Sequence, residues 1–574
     1  MHSSRLREAT QVCLRGCCPN PIILNDPEPD QAIAKTRGTS SACRHDFAAM
    51  TASSLFPNTN FTNHESIPSL QESYIQFIKA YPKYSQTSRV DEIRSQEYSH
   101  LSFSNHVCLD YIGVGLFSQS QVKSQPSDFP MFDITFKSGN LKSELLRDGE
   151  GSELESGIKK RIMEFLKISQ NEYSMVFTAN RSSAFKLVAE SYPFKTSPKL
   201  LKVYDHESEA LDSMINTSEK RGARVMKAEF KWPRFRIHSE KLRKMIARKN
   251  NNKKHRGLFV FPLQSRMTGA SYSYQWMTMA QEHGWHVLLD SCALGPKDMD
   301  SFGLSLIRPD FLVCSFYKVF GENPTGFGCL LVKKSIVPIL EDSTGAGIVS
   351  IIPPKNLFRF PEDSSGTDTE LEQITKLETS DMKEMQSTLM KNKATENESS
   401  IIKCRSLDQV DSLGLMLISS RGRYLINWLV SALTKLLHPN RLDNFPLVKI
   451  YGPKVKFDRG PALAFNVYDW KGEKVEPVLV QKLADRNNIS LGHGFLNHIW
   501  FSEKYEEEKM KILVRNSKEK ETKGITVVTV ALTFLANFED VYRLWAFISQ
   551  FLDADFVEKE RWRYTALNQK TIEV

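Results

Sequence analysis

Asp310-Phe-Leu-Val-Cys-Ser-Phe-Tyr-Lys-Val-Phe-Gly-Glu-Asn-Pro-Thr-Gly-Phe-Gly-Cys-Leu-Leu-Val332 reads as a buried strand, a lysine at its exit, a Gly/Pro turn and a second buried strand. Phe311 to Phe316 is apolar on both faces, as a sheet strand covered by helices on each side must be. Gly321, Pro324, Gly326 and Gly328 then interrupt the run with turn chemistry. Lys318 therefore falls at a strand end, where open α/β sheets carry their active sites. By position alone it is as well read as a solvated strand terminus. A second element upstream changes the balance, because Gly284-Trp-His-Val-Leu-Leu-Asp290 is a strand that ends in an acid.

A strand-end Lys beside a strand-end Asp is the pair that pyridoxal 5′-phosphate (PLP) requires. The amine forms a Schiff base, and the carboxylate keeps the pyridine nitrogen protonated. Ser315-Phe-Tyr-Lys318-Val-Phe-Gly-Glu-Asn-Pro-Thr325-Gly326-Phe-Gly328 resembles the Ser-x-x-Lys-x-x-Gly-x-Pro-Thr-Gly-x-Gly segment of class V aminotransferase-like enzymes, with one extra residue in the turn. Within that family it is similar to the cysteine-desulfurase-like domain of molybdenum cofactor sulfurase, from about Cys108 to about Leu552. The resemblance implies a fold-type I PLP-dependent transferase: an α/β fold with a large mixed or mostly parallel sheet between helices and a smaller α/β C-terminal domain.

Composition fits such a chain. Hydrophobic residues make up 41% and charged residues 25% of 574, values of a globular protein with ample core. The most apolar run, Tyr424 to Leu437, is interrupted by Asn427 and Lys435, so a buried helix is expected and no membrane span. The net charge of +9 is modest for this length. Lys241 to Arg256 carries eight Lys/Arg without interleaved aromatics, which reads as a solvated helix and basic loop; nucleic acid is not the expected partner. Nine scattered cysteines point to a reducing, cytoplasmic setting, with a plastid or mitochondrial address the alternative. Cys13, Cys17 and Cys18 lack the companions of a zinc pattern, and no metal site is expected.

The expected organisation is a disordered leader (1–65), an N-terminal arm over the main domain (66–106), a PLP-binding large domain (107–360), a disordered insertion (361–403) and a small C-terminal domain (404–574) that opens on a connecting helix (404–440). Glu153 to Ser169 carries a helical stripe, and Val541 to Phe551 is the last long helix. Met175 to Val188 runs from strand through Asn180-Arg181-Ser182 into a helix, the place of the family's phosphate cup, where Arg181 adds a cationic clamp. Without the resemblance the same stretch is an ordinary Ser-capped helix. His206 lies where the family has an acid-His pair whose imidazole stacks on the cofactor and moves protons near the substrate. Ser265 and Gly269 match the family's Ser-Asn-x-x-Gly turn, but Arg266 replaces the asparagine that holds a substrate carboxylate. Asp342 to Gly347 corresponds to a Gly-rich loop that reaches the partner's phosphate in family dimers, with Ile348 replacing its threonine.

The family's nucleophilic cysteine falls on Asn497, its substrate-binding arginine on Gly492, and a second arginine on Thr529. No cysteine follows Cys404, which borders the insertion and is the one thiol placed to stand in, whereas Cys292, Cys314 and Cys329 read as buried packing residues. His493 and His498 read as structural or surface residues. The expected function is a PLP-dependent enzyme, a homodimer acting on a small amino acid or amine through a Lys318 Schiff base and lacking cysteine desulfurase activity. A PLP-fold pseudoenzyme serving as an interaction scaffold is the alternative.

Overall fold

The computed structural model describes residues 55–56, 59–103, 105–113, 115–123, 133–147, 151–247, 256–292, 308–317, 326–352, 403–439, 445–455, 459–515 and 523–570. Lys318, Cys13, Cys17, Cys18, the basic loop 248–255, nearly all of the leader and nearly all of the insertion read at 361–403 lie outside them.

The strands are β1 (Val107–Cys108), β2 (Asp133–Asn140), β3 (Tyr173–Thr178), β4 (Lys199–Lys202), β5 (Arg224–Lys227), β6 (Phe230–Lys231), β7 (Arg236–Ile237), β8 (Gly257–Pro262), β9 (Trp285–Asp290), β10 (Phe311–Tyr317), β11 (Gly326–Lys333) and β12 (Thr344–Ile352), then β13 (Val448–Tyr451), β14 (Ala462–Val467), β15 (Ile489–Ser490), β16 (Gly492–Leu496), β17 (Ile499–Trp500), β18 (Val514–Arg515) and β19 (Lys523–Ala531). Nine form one mixed sheet in the order β2-β12-β3-β11-β10-β9-β8-β4-β5. From β10 to β5 neighbouring strands are parallel. β11 runs antiparallel to both β10 and β3.

The central strands are buried on both faces, which is why they read as unbroken apolar runs. Val287 and Leu289 of β9 face a core shared with Ile158, Leu242 and Met277 from the helices Glu153–Leu166, Ser239–Ala247 and Gln275–Glu282. Leu288 faces the opposite core, with Phe185 and Leu211 from the helices Arg181–Ser191 and Glu209–Lys220. Each such side chain contributes about 1.5–3 kcal/mol on burial. Helices on both faces force every connection to leave from a strand end. The loops after β3, β4, β8 and β9 therefore open on one edge, the carboxyl edge of the parallel strands.

β13, β14, β19 and β16 form a second, antiparallel sheet. It packs with the helices Leu415–Thr434, Pro477–Arg486 and Phe538–Ser549. This is the smaller α/β part.

Four expectations need correction. The end of the leader is folded, since Leu55, Phe56 and Phe61 are buried in the C-terminal core, with the Phe61 ring 5.3 Å from that of Trp545. The arm does not simply lie over the main domain. Phe77 of its helix Leu70–Ala80 packs against Phe538 in the C-terminal core, and Arg421, 1% exposed, bonds Thr87 and Asp91. Asp342 to Gly347 is mostly sheet: β12 starts at Thr344, and its register shifts between Ala346 and Ile348. Gly347 there has φ +97°, and a Cβ would lie 2.6 Å from Ser183 Oγ, so the strand passes the helix start too closely for any side chain. Finally, the last long helix is Ala554–Lys570, beyond Phe538–Ser549.

Candidate active site

Asp290 closes β9, is 1% exposed, and is surrounded by donors. Arg181 Nη2 lies 2.6 Å and Arg181 Nε 3.2 Å from its Oδ2, and the Tyr204 hydroxyl donates to the same oxygen at 2.9 Å. The Cys292 amide donates to Oδ1 at 3.1 Å. Burial alone would raise the Asp290 carboxyl. The charge and hydrogen bonds of Arg181, the Cys292 amide and the charge of Arg266 outweigh it and hold the pKa at about 2. Arg181 moves the opposite way: burial would lower its pKa, and Asp290 raises it. A buried, ionised carboxylate thus stands at the carboxyl edge of the sheet.

Arg181 reaches Asp290 because it is the first residue of the helix Arg181–Ser191, which begins directly after β3. Ser208 Oγ accepts from its Nη1 at 2.8 Å, and the guanidinium lies over the Phe185 ring, 4.9 Å from the centroid. Asn180 is the N-cap, its Oδ1 accepting from the Ser183 amide at 2.9 Å. The cap is therefore an asparagine and not the serine that the plain reading suggested. Ser182 follows in the first turn, half-buried.

His206 is the next piece, 3% exposed, with its Nδ1 2.7 Å from Asp205 Oδ1. Asp205 also accepts from Ser265 Oγ and Thr268 Oγ1, each at 2.9 Å. Burial would raise the Asp205 carboxyl, but the His206 hydrogen bond and charge and the two hydroxyls lower it. An ionised Asp205 makes Nδ1 the protonated nitrogen and turns Nε2 to the proton-accepting role. Tyr204, Asp205 and His206 are consecutive, so one segment after β4 ties the Asp290 group to the oriented imidazole. Tyr204 and Asp205 were not singled out from the sequence. The signal was there in an acid placed directly before the histidine.

Arg266 is half-buried on the turn after β8 and near enough to Asp290 to lower its pKa. That turn needs Gly269, where φ is +67° and a Cβ would sit 2.3 Å from the Ala462 carbonyl oxygen. Val313 of β10 pairs with Asp290, so half-buried Ser315 lies two residues further toward the same edge. β10 ends at Tyr317, directly before Lys318. Asp290, Arg181, Asn180, Ser182, His206, Ser315 and Arg266 thus all come from the carboxyl-edge loops and strand ends. Among the described residues no group of three His, Cys, Asp or Glu side chains is arranged to hold a metal, and no helix is long and apolar enough to cross a membrane.

The segment after β15 is stitched to this site. Asn497 N–H donates to the Asp205 carbonyl at 3.0 Å, Glu207 N–H to that of Phe495 at 3.0 Å, and β17 pairs with β6. Asn497 is 2% exposed, and its Oδ1 is buried without a partner among the described residues. Gly492 and Thr529 face each other across β16 and β19, and a Cβ at 492 would lie 2.5 Å from Thr529 Oγ1. The two positions at which the resemblance expects arginines are therefore one cross-strand pair.

His498 adopts a left-handed backbone (φ 54°) beside Asn497. Burial, together with Lys202 and Lys227, pushes its pKa down to about 3, and its Nε2 has no partner among the described residues. The unfolded chain takes up a proton near pH 6.5 that the folded state refuses, so this residue costs stability as pH falls below that value. His498→Asn, which tolerates the backbone, should match wild type at pH 8 and gain about 2 kcal/mol relative to it at pH 5. Urea unfolding at the two pH values checks this, and parallel pH dependence of the two proteins would contradict it.

No family model matches the chain. Molybdenum cofactor sulfurase of Homo sapiens is 27% identical over 431 residues, covering 70% of this chain and 43% of that protein. Molybdenum cofactor sulfurase of Aspergillus fumigatus is 25% identical over 453 residues, covering 75% of this chain and 48% of that protein. The chain thus spans about half the length of these curated relatives. Among solved structures, the cysteine desulfurase CsdA of Escherichia coli aligns over 81% of this chain and 98% of its own, at 15% identity and a TM-score of 0.48. On its sequence, the chain is similar to the molybdenum cofactor sulfurases over 70–75% of its length.

Proposed function

We propose that the protein is a PLP-dependent enzyme of the class V aminotransferase-like group that acts on a small amino acid or amine and does not desulfurate cysteine. The observation that carries the reading is the Asp290 carboxylate, ionised and buried at a sheet edge shared with a carboxylate-oriented His206. The residues present fit PLP: Asp290 for the ring nitrogen, the helix start at Arg181-Ser182 for the phosphate, and Lys318, the residue after β10, for covalent attachment. Bound PLP supplies an electron-accepting ring and an aldehyde that exchanges amines. In this reading the protein's own groups do the rest. Asp290 holds the ring nitrogen protonated, Asp205 fixes the tautomer of His206, His206 Nε2 takes or returns a proton, and Arg266 grips the substrate anion. The active form is a homodimer in this reading.

A second reading, a scaffold that keeps the fold without turnover, is favoured by one observation: Asp290 is already paired with Arg181. The deciding experiment is titration of the purified protein with PLP, followed by a panel of amino acids and amines. A PLP absorbance band that shifts with at least one amine supports the enzyme. A bound cofactor indifferent to every amine supports the scaffold, and a protein that takes up no PLP contradicts the enzyme reading.

A further inference from the structure

Asp205 is 1% exposed, and each of its carboxylate oxygens meets two donors. His206 Nδ1 at 2.7 Å and Ser265 Oγ at 2.9 Å lie on Oδ1; Thr268 Oγ1 at 2.9 Å and the Tyr272 hydroxyl at 3.3 Å lie on Oδ2. Two on each oxygen is the full acceptor capacity of a carboxylate. Three of the four donors come from one stretch after β8, Ser265 to Tyr272. Ser265 Oγ accepts from the Met267 and Thr268 amides and Thr268 Oγ1 from the Ala270 amide, which leaves each hydroxyl proton for Asp205. Tyr272 keeps its proton as well, because burial first and then the Asp205 charge push its hydroxyl well above the ordinary range. A carboxylate met by these donors has no place for a proton of its own. Without the two donors on Oδ2, that oxygen becomes a buried acceptor with nothing to bond, a loss that weighs most on the charged form. The Asp205–His206 pair then gains a proton. Whether that proton settles on Asp205 or on the imidazole, Nε2 is left carrying a hydrogen and cannot accept one.

We propose that Thr268 and Tyr272 are positioning residues: by filling Oδ2 of Asp205 they keep the hydrogen of His206 on Nδ1 and leave Nε2 open. The turn that carries Arg266 thereby also decides which nitrogen of His206 can take a proton. Neither residue touches His206; both act through Asp205, as outer partners do that fix the tautomer of a working histidine. The use made of the open nitrogen rests on the PLP reading, whereas the tautomer itself does not.

The test uses the full-length protein without added PLP, its histidine rings labelled with nitrogen-15, so that the ring-nitrogen signals show which nitrogen of His206 carries the hydrogen at neutral pH. His206→Gln marks the signals by their loss. Wild type should carry the hydrogen on Nδ1 with a bare Nε2. Thr268→Val with Tyr272→Phe, which removes both hydroxyls at nearly constant shape, should raise the share of molecules with a hydrogen on Nε2 at least tenfold. Thr268→Ser, which restores one hydroxyl on the same backbone, should return the wild-type pattern when set against Thr268→Val, a rescue that a loosened turn would not give. If the double variant does not fold, Tyr272→Phe alone carries the comparison and should move in the same direction. A wild type already protonated on Nε2, or variants that keep the wild-type pattern, would overturn the proposal. A wild type with the expected tautomer that takes up no PLP upholds the positioning and sinks the PLP reading alone.

Discussion

Incubated with PLP and L-cysteine, the protein will accumulate no protein-bound persulfide. Sulfur transfer needs a thiolate within reach of the substrate sulfur, and the position to which the resemblance assigns it holds Asn497, an amide that is not a competent sulfur acceptor. Asn497 is also tied by its backbone to Asp205 and held in a segment paired to β6, so a neighbouring cysteine cannot swing in to replace it. The described cysteines are poor substitutes: even half-buried Cys108 is pushed up to about 12 by burial and the Asp110 charge. Cys292, Cys314 and Cys329 are buried in or beside the large sheet, and burial first, then the Asp290 charge, raises the Cys292 thiol well above its ordinary range. Cys404, read from the sequence as the one thiol placed to stand in, is fully buried at the start of the helix Arg405–Leu413, and burial and Asp408 push it up to about 12. At pH 8 that leaves on the order of one thiolate in ten thousand. Persulfide labelling of wild type and Cys404→Ser should therefore give the same background. Asn497→Cys should create a labelled thiol only when combined with Gly492→Arg, and the arginine will need Thr529 shortened to make room, because the two positions meet across the sheet. Robust labelling of wild type would refute the argument.

Asp290→Ala should be the most damaging single change at the site. In the cofactor-free protein it strands the Arg181 guanidinium in a buried position, at a cost of about 3–5 kcal/mol. Under the proposed PLP reading it also removes the group that would keep the ring nitrogen protonated. The wild-type pair carries a pH signature. The folded pKa of Asp290 is about 2, below the ordinary value of 3.8, so its contribution of about 2 kcal/mol is complete above pH 4 and is lost as pH falls toward 2. Denaturation of both proteins at pH 7 and pH 3 reads the two effects together: a large deficit for Asp290→Ala at pH 7 that narrows at pH 3. A variant as stable as wild type at pH 7 would show that the pair contributes nothing net.

What the sequence revealed of this fold was its buried sheet. Runs such as Gly257 to Pro262 and Trp285 to Asp290 are apolar on both faces, and few structures other than a helix-covered sheet bury both faces of a strand. The edge was harder to read. Asp342 to Gly347 looks like a loop because of its glycines, yet Gly345 and Gly347 are there to let β12 pass the helix Arg181–Ser191 at close range. The arm escaped because its partners are remote in sequence: Phe77 finds Phe538, and Arg94 finds Asp540. At the site, the residues were legible but their pairing was not. Nothing local in Asn180-Arg181-Ser182 announces that the arginine turns to a carboxylate on β9, three strands away across the sheet. Nor does the sequence reveal that Asp205 gathers His206, Ser265 and Thr268 around one buried charge.

The PLP site proposed at Lys318 and Asp290 is tested most directly by trapping the cofactor on the chain. Full-length protein saturated with PLP and reduced with borohydride should carry one phosphopyridoxyl group per chain, found by peptide mass on Lys318 and missing from Lys318→Ala. A wild-type protein that remains unlabelled at saturating PLP, or that is labelled on surface lysines with Lys318 untouched, would contradict it.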